Sequence, residues 1–375
     1  REVAARRASR RRREGDISLL GAGVLQPGSG STWATLRLDS RLLAPEAFSV
    51  GGVAVDWQHA VSLSADSIPA SRLGGRARRV LAIRRLSLAV ADRVGRPLSG
   101  ALGRIVVADG GGARLVDGLR LAHRLGDHLH IEAHGGLGPD LVSLGPRLDV
   151  VRFGAGMGWQ GVLWGADGEV VASWSGTLLG GALDTQIAGV RAFFDQSSLG
   201  TCDAAFDLAF GTPDLAGTAV ADLAPESTVR PHRGWLGLST RRMGSWRGRL
   251  RYTYYAQEAS RELALALPEL MLYRSQRHGL LISVDHDAGG AWSWAPLAWG
   301  GYASGDDHYD GLRGGLGMRL GWRGQRWRHD ASLAGQLGPQ LFGASARVGS
   351  TWQMSDDVAL GARVGGAWDR VEPVA

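Results

Sequence analysis

The chain has 375 residues, 57 of them Gly, 14 Trp and one Cys, and its 42 basic residues against 36 acidic ones leave a net charge of +6. All 42 are Arg, which excludes a phosphate-loop Lys, a Schiff-base Lys and a kinase-strand Lys. A single Cys excludes a disulfide framework and zinc sites built on several thiolates.

Gly at roughly twice its usual share argues against a mostly helical chain, because each Gly costs a helix interior about 1 kcal/mol relative to Ala. A sheet with many tight turns suits it better.

The chain opens on a basic run, Arg6, Arg7 and Arg10 to Arg13. Residues 1–15 read as a solvated linker or tail, and 16–375 as one domain without an internal seam. Such a run is also the footprint of nucleic-acid binding, but the remaining charge is nearly balanced and no nucleic-acid partner is expected.

Strict alternation begins soon after. Val53, Val55, Trp57, Val61 and Leu63 oppose Asp56, Gln58, Ser62 and Ser64. Gly110 to Gly112 marks a turn and lacks the helix and acidic signature of a nucleotide loop. Around the next turn, at Gly126-Asp127, His128, His130 and His134 share a parity, a spacing that a weak metal site could use. No metal or other cofactor is expected on balance. Trp159 and Trp174 bracket the loop at Gly165 to Gly168.

Cys202, Ala204, Phe206, Leu208 and Phe210 oppose Asp203, Asp207 and Ala209, which makes Cys202 a small apolar-face residue rather than a nucleophile. Farther on, Leu250, Tyr252 and Tyr254 oppose Arg249, Arg251 and Thr253. Glu262 to Tyr273 has mixed spacing that fits a short loop helix, folded inward or lying over a rim. The longest uncharged window, Ala288 to Gly305, falls short of the roughly 20 residues a spanning helix needs and is broken by Gly and Pro. Asp306-Asp307-His308 has acid–base residue types, but three polar residues in a Gly-Ser loop read as solvated. No catalytic spacing occurs elsewhere, and no enzyme is expected.

The pattern is clearest at the end of the chain. Leu312, Leu316, Met318, Leu320 and Trp322 oppose Arg313, Gly315, Gly317, Arg319 and Gly321. After a turn, Trp327, His329, Ala331 and Leu333 oppose Arg328, Asp330 and Ser332. Phe342 to Trp352 and Val358 to Trp368 repeat the arrangement, with Arg347, Arg363 and Asp369 on the polar parity. Strand side chains alternate between faces, so each segment has one apolar and one charged or small face. There are 18 to 20 such segments of about ten residues, the length of a strand crossing a bilayer at a tilt.

Connections alternate too. Short turns are expected at 211–214, 243–246, 286–290, 323–326 and 355–357, and longer connections at 224–232, 258–273 and 302–309, with 338–340 a short exception. The last strand then runs outward, and a return strand is expected after it. With the abrupt end at Ala375, this reads as a fragment lacking terminal segments.

Segments such as Gly311-Leu-Arg-Gly-Gly-Leu-Gly-Met-Arg-Leu-Gly-Trp322 and Asp357-Val-Ala-Leu-Gly-Ala-Arg-Val-Gly-Gly-Ala-Trp368 resemble the porin-like outer-membrane β-barrels of Gram-negative bacteria. The resemblance covers roughly residues 16 to 369 and identifies no subfamily. It implies an all-β, antiparallel transmembrane barrel of roughly 16–22 strands in the bacterial outer membrane, in contact with its lipid.

On this reading Arg249, Arg251, Arg313, Arg319, Arg347, Arg363, Asp203, Asp207 and Asp330 line the lumen. Trp159, Trp174, Trp322, Trp327, Trp352 and Trp368 form an aromatic girdle. The expected function is passive or facilitated passage of small solutes through a slightly cationic lumen with weak anion preference. The alternatives are the barrel of a polymer exporter and a non-conducting structural or adhesive barrel. The oligomeric state is left open.

Overall fold

The computed structural model describes residues 14–25, 32–50, 53–67, 78–90, 97–109, 112–140, 145, 147–211, 213–216, 218, 228–256, 260–266, 276–287, 289–304, 311–338, 341–354 and 358–371. The first half of the sheet runs β1 (Glu14–Leu25), β2 (Thr32–Val50), β3 (Val53–Ser67), β4 (Arg78–Val90), β5 (Leu98–Asp109), β6 (Gly112–Leu125), β7 (Leu129–Leu137), β8 (Val150–Leu163) and β9 (Ala166–Leu179). The second half runs β10 (Ala182–Gln196), β11 (Gly200–Phe210), β12 (Val229–Thr240), β13 (Trp246–Ala256), β14 (Gln276–Asp287), β15 (Trp292–Ser304), β16 (Gly311–Arg323), β17 (Trp327–Leu337), β18 (Leu341–Gln353) and β19 (Val358–Val371). A short helix, α1 (Arg261–Ala266), interrupts the connection between β13 and β14.

Among the described residues each strand pairs antiparallel with the next, a plain up-and-down meander in a sheet of 19 strands. β1 pairs with β2 and, in parallel, with β19. The edge of β19 at which a return strand was expected is thus taken by β1. The Arg-rich run ahead of Glu14 and the loop motif Asp306-Asp307-His308 lie outside the described residues.

From β6 onward the even-to-odd connections are short, none exceeding five residues, as at 164–165, 241–245 and 324–326. Among the odd-to-even connections, 138–149, 211–228 and 257–275 are long, whereas 180–181 and 338–340 are as short as the others. The expected turn at 211–214 and the expected longer connection at 224–232 belong to one connection, because β11 ends at Phe210 and β12 starts at Val229.

The distribution of side chains is inverted relative to a water-soluble sheet protein. On the apolar parity, Leu312 is 75% and Leu316 72% exposed, and Leu333, Val348 and Val364 are likewise open. The buried group includes Arg152, Asp184, Asp207 and Glu262. Water drives apolar surface inward, so a stable chain with this pattern has a non-aqueous medium against its outer face.

Glycine on the polar parity makes room for its cross-strand neighbour. Asp203 stands opposite Gly237, Asp330 opposite Gly349, His130 opposite Gly158 and His134 opposite Gly154. A Cβ at any of the four glycines would collide with the carboxylate or ring across from it. The Gly excess therefore has a packing role inside the sheet as well as a role in turns.

Candidate functional site

The polar face carries two kinds of charge, sealed and solvated. Near the long-connection end, Asp207 is fully buried and paired with Arg233 at 3.0 Å. Next to it the β11–β12 ladder shifts register, passing from Asp207↔Arg233 to Leu208↔Pro231. Proline cannot donate to a ladder and is tolerated at such a bulge. Asp203 accepts a hydrogen bond from Trp235 Nε1 at 2.8 Å, and the Arg251 guanidinium lies 5.9 Å from the centre of the Trp235 ring.

α1 is held against the wall at the same end. The Asp184 carboxylate on β10 accepts the backbone N–H groups of Arg261 (2.6 Å) and Glu262 (3.0 Å). Glu262 accepts from Arg152 on β8 at 3.1 and 3.2 Å. Arg152 also donates to the Leu115 carbonyl on β6 at 3.0 Å. Of the stretch foreseen as a loop helix, Glu262 to Tyr273, the described part in α1 thus packs inward against β8 and β10, and residues 267–273 lie outside the described residues. In the preceding connection, Asp149 is bonded by Arg147, which holds its carboxyl below the usual carboxylate range.

Solvated charges dominate the short-turn end of β13–β18. Arg249 and Asp285 pair at 2.8 Å with Arg249 about half exposed. They border a cavity of about 850 Å³ whose lining includes Arg249, Arg319, Arg323, Arg326 and Arg328 against Asp285, Asp287 and Asp330. Five guanidinium groups against three carboxylates give this mouth a positive balance. The β14–β15 ladder is interrupted beside it, between Ser283↔Leu297 and His286↔Trp294, where Pro296 lacks an N–H to give.

The other expected lumen residues are spread along β16–β19. Arg313 stands at the long-connection end of β16, and Arg347 is exposed on β18 opposite Ser332. The side chain of Arg363 lies outside those described.

On the outward face the aromatics form two rows. The lower row, at the short-turn end, runs Trp246↔His286↔Trp294 in direct register, with ring centres 4.4 and 5.1 Å apart. It continues through Trp292↔Trp322↔His329, and Trp327 stacks on His329 and on Trp352 at 5.8 and 5.9 Å. The upper row is Tyr254↔His278↔Tyr302, with Tyr252 OH 2.8 Å from His278 Nδ1.

Among the expected girdle residues, Trp322, Trp327 and Trp352 stand in the lower row, and Trp159 lies near the same end of β8. Trp174 sits midway along β9, edge-on to Phe153 at 5.4 Å. The Trp368 side chain is outside those described. Trp246, Trp292, Trp294 and the flanking histidines were not anticipated. Their signal, a Trp opening β13, β15 and β17 directly after a short turn, is present in the sequence.

Among the described residues, no group of three or more His, Cys, Asp or Glu side chains is arranged to hold a metal ion. His130 and His134 are each laid over a glycine, and His128 Nδ1 is 2.9 Å from the Gln160 carbonyl oxygen. Cys202 is half-buried on the parity of Phe206.

An up-and-down antiparallel sheet with an exposed apolar face, two aromatic rows and short connections at one end is the architecture of a porin-like outer-membrane β-barrel. No family model and no curated protein matches the sequence.

Among solved structures, the chain is similar to a BenF-like porin from Pseudomonas fluorescens Pf-5, at 10% identity, 96% coverage of each chain and TM-score 0.52. It is similar to Pseudomonas aeruginosa OccK1 (OpdK) at 9% identity, covering 95% of this chain and 97% of that one, with TM-score 0.52. OccK11 (OpdR) of the same species matches at 9% identity over 94% and 93% of the two chains, with TM-score 0.50. The fold is therefore that of the porin-like barrels, and these neighbours are outer-membrane porins of Gram-negative bacteria.

Proposed function

We propose that the chain is a channel of the bacterial outer membrane: a transmembrane barrel in contact with lipid, through which small solutes pass along a charged inner face with weak anion preference. The observation that carries this reading is the pair of aromatic rows enclosing an exposed apolar band, with solvated charge on the opposite face. Each residue of a strand advances about 3.3 Å, so the eight residues from His278 to His286 cover roughly 26 Å along β14. A tilt of about 40° leaves about 20 Å along the membrane normal, close to the ~25 Å apolar band of outer-membrane barrels. The five Arg against three Asp at the cavity support the anionic sign.

Planar-bilayer recording under a salt gradient tests this reading. The expected result is a conductance whose reversal potential marks anions as the more permeant ions. Clear cation selectivity would overturn the sign. A second reading, a non-conducting structural or adhesive barrel, is favoured by the inward packing of α1 against β8 and β10. The absence of any conductance in properly folded protein would select it.

A further inference from the structure

Building on the channel reading, we propose that the passage is off-centre. Solutes travel along β13–β18 and meet an anion-holding station there, while the sector from β5 to β10 is filled and carries none. The filling is visible in side chains that bridge strands which are not neighbours. Arg114 on β6 donates to Thr177 Oγ1 on β9 at 3.1 Å, and Arg152 on β8 reaches the Leu115 carbonyl on β6. β5 comes close to β9 and β10, with which it shares no ladder. Ile105, Val107 and Val116 bury one another on the inner parity, and Thr177 is 1% exposed. α1 adds to the same side through Glu262 and Asp184.

The opposite sector has open space in its place. The cavity along β13–β18 holds guanidinium groups that water reaches, including Arg249, Arg319 and Arg328. A solvated guanidinium exchanges water for a passing carboxylate or phosphate oxygen at little cost, and its donor fork fits either. Arg152 and Arg233 are already committed to Glu262 and Asp207 in buried pairs, and breaking such a pair to hold an ion is unfavourable. Permeating anions are therefore held where the charges are open to water.

Cysteine accessibility tests this in the full chain with Cys202→Ala, which removes the native thiol. Thr351→Cys reports on the cavity, and Thr177→Cys and Val116→Cys report on the filled sector. With a negatively charged methanethiosulfonate, Thr351→Cys should react at least about tenfold faster than the other two, since only accessible thiolate reacts. Its modification should lower conductance and shift the reversal potential toward cations. Equal reaction at Thr177→Cys, a near-isosteric change that guards against misfolding at Val116→Cys, would overturn the proposal. So would modification at Thr351→Cys that leaves conductance unchanged. If the unsubstituted protein does not conduct, the channel reading fails; the relative labelling rates, read by mass, still decide which sector is open.

Discussion

His286 and His278 stand eight residues apart on the outward face of β14, each flanked in register by an aromatic residue on β13 and another on β15. The flanking pairs are Trp246 with Trp294 and Tyr254 with Tyr302. Because the period of a strand is two, an even separation keeps both rows on one face. Aromatic rings with a polar atom settle where one side is apolar and the other wet. On the proposed channel reading the two rows mark two parallel boundaries, with the apolar residues of β14 between them.

Ile282 is midway between those histidines and 47% exposed. Ile282→Arg should destabilise the folded barrel in lipid by about 2–4 kcal/mol, whereas His286→Arg, at the boundary, should cost about 0–1 kcal/mol. Reversible denaturant titration in vesicles measures both. Equal costs at the two positions would place the boundaries elsewhere.

Asp207→Asn leaves Arg233 charged without its buried partner, a loss of about 3–5 kcal/mol. Adding Arg233→Met should recover part of that loss. The temperature at which the heat-modifiable band shifts on a gel should fall for the single variant and rise again for the double one.

Gly237→Ala should force the Asp203 carboxylate off its bond with Trp235 Nε1, at about 0.5–1.5 kcal/mol. In a Trp235→Phe background the same change should cost less, since that bond is already gone. Denaturant midpoints of the four proteins in the cycle give the coupling directly.

Glu262→Ala removes the tie between α1 and Arg152, leaving α1 held by Asp184 and by the pairing of Arg261 with Asp214. Limited trypsin digestion should then cut after Arg261 faster than in the unsubstituted chain. The strand core should remain protease-resistant. Unchanged cutting would mean that the Asp184 and Asp214 ties suffice without Glu262.

Legibility in sequence followed the cleanness of the alternation. β16, β17 and β18 carry bulky apolar residues on one parity and Arg, Asp or Gly on the other, so face and register were readable. β5 has the run Ile105-Val106-Val107, which is apolar on both parities. Period two cannot say which of those residues turns inward, and the filled sector built on Ile105 and Val107 was invisible for that reason.

Pairings across distant strands were equally hidden. Nothing local to Arg152 announces Glu262, 110 residues away. The charges were legible as a set; which were sealed and which solvated depended on the fold.

Salt sorts those two kinds of charge. Going from about 0.1 M to about 1 M salt shortens the reach of an exposed charge from roughly 10 Å to 3 Å. On the proposed channel reading, Arg249 and Arg319, open to water, would lose most of their hold on passing ions over that range. Asp207 and Arg233, packed away from it, would hardly notice. Anion preference should therefore fade as the medium grows more concentrated while the barrel stays as firm as before, so ion choice and mechanical integrity answer to different surroundings within one wall.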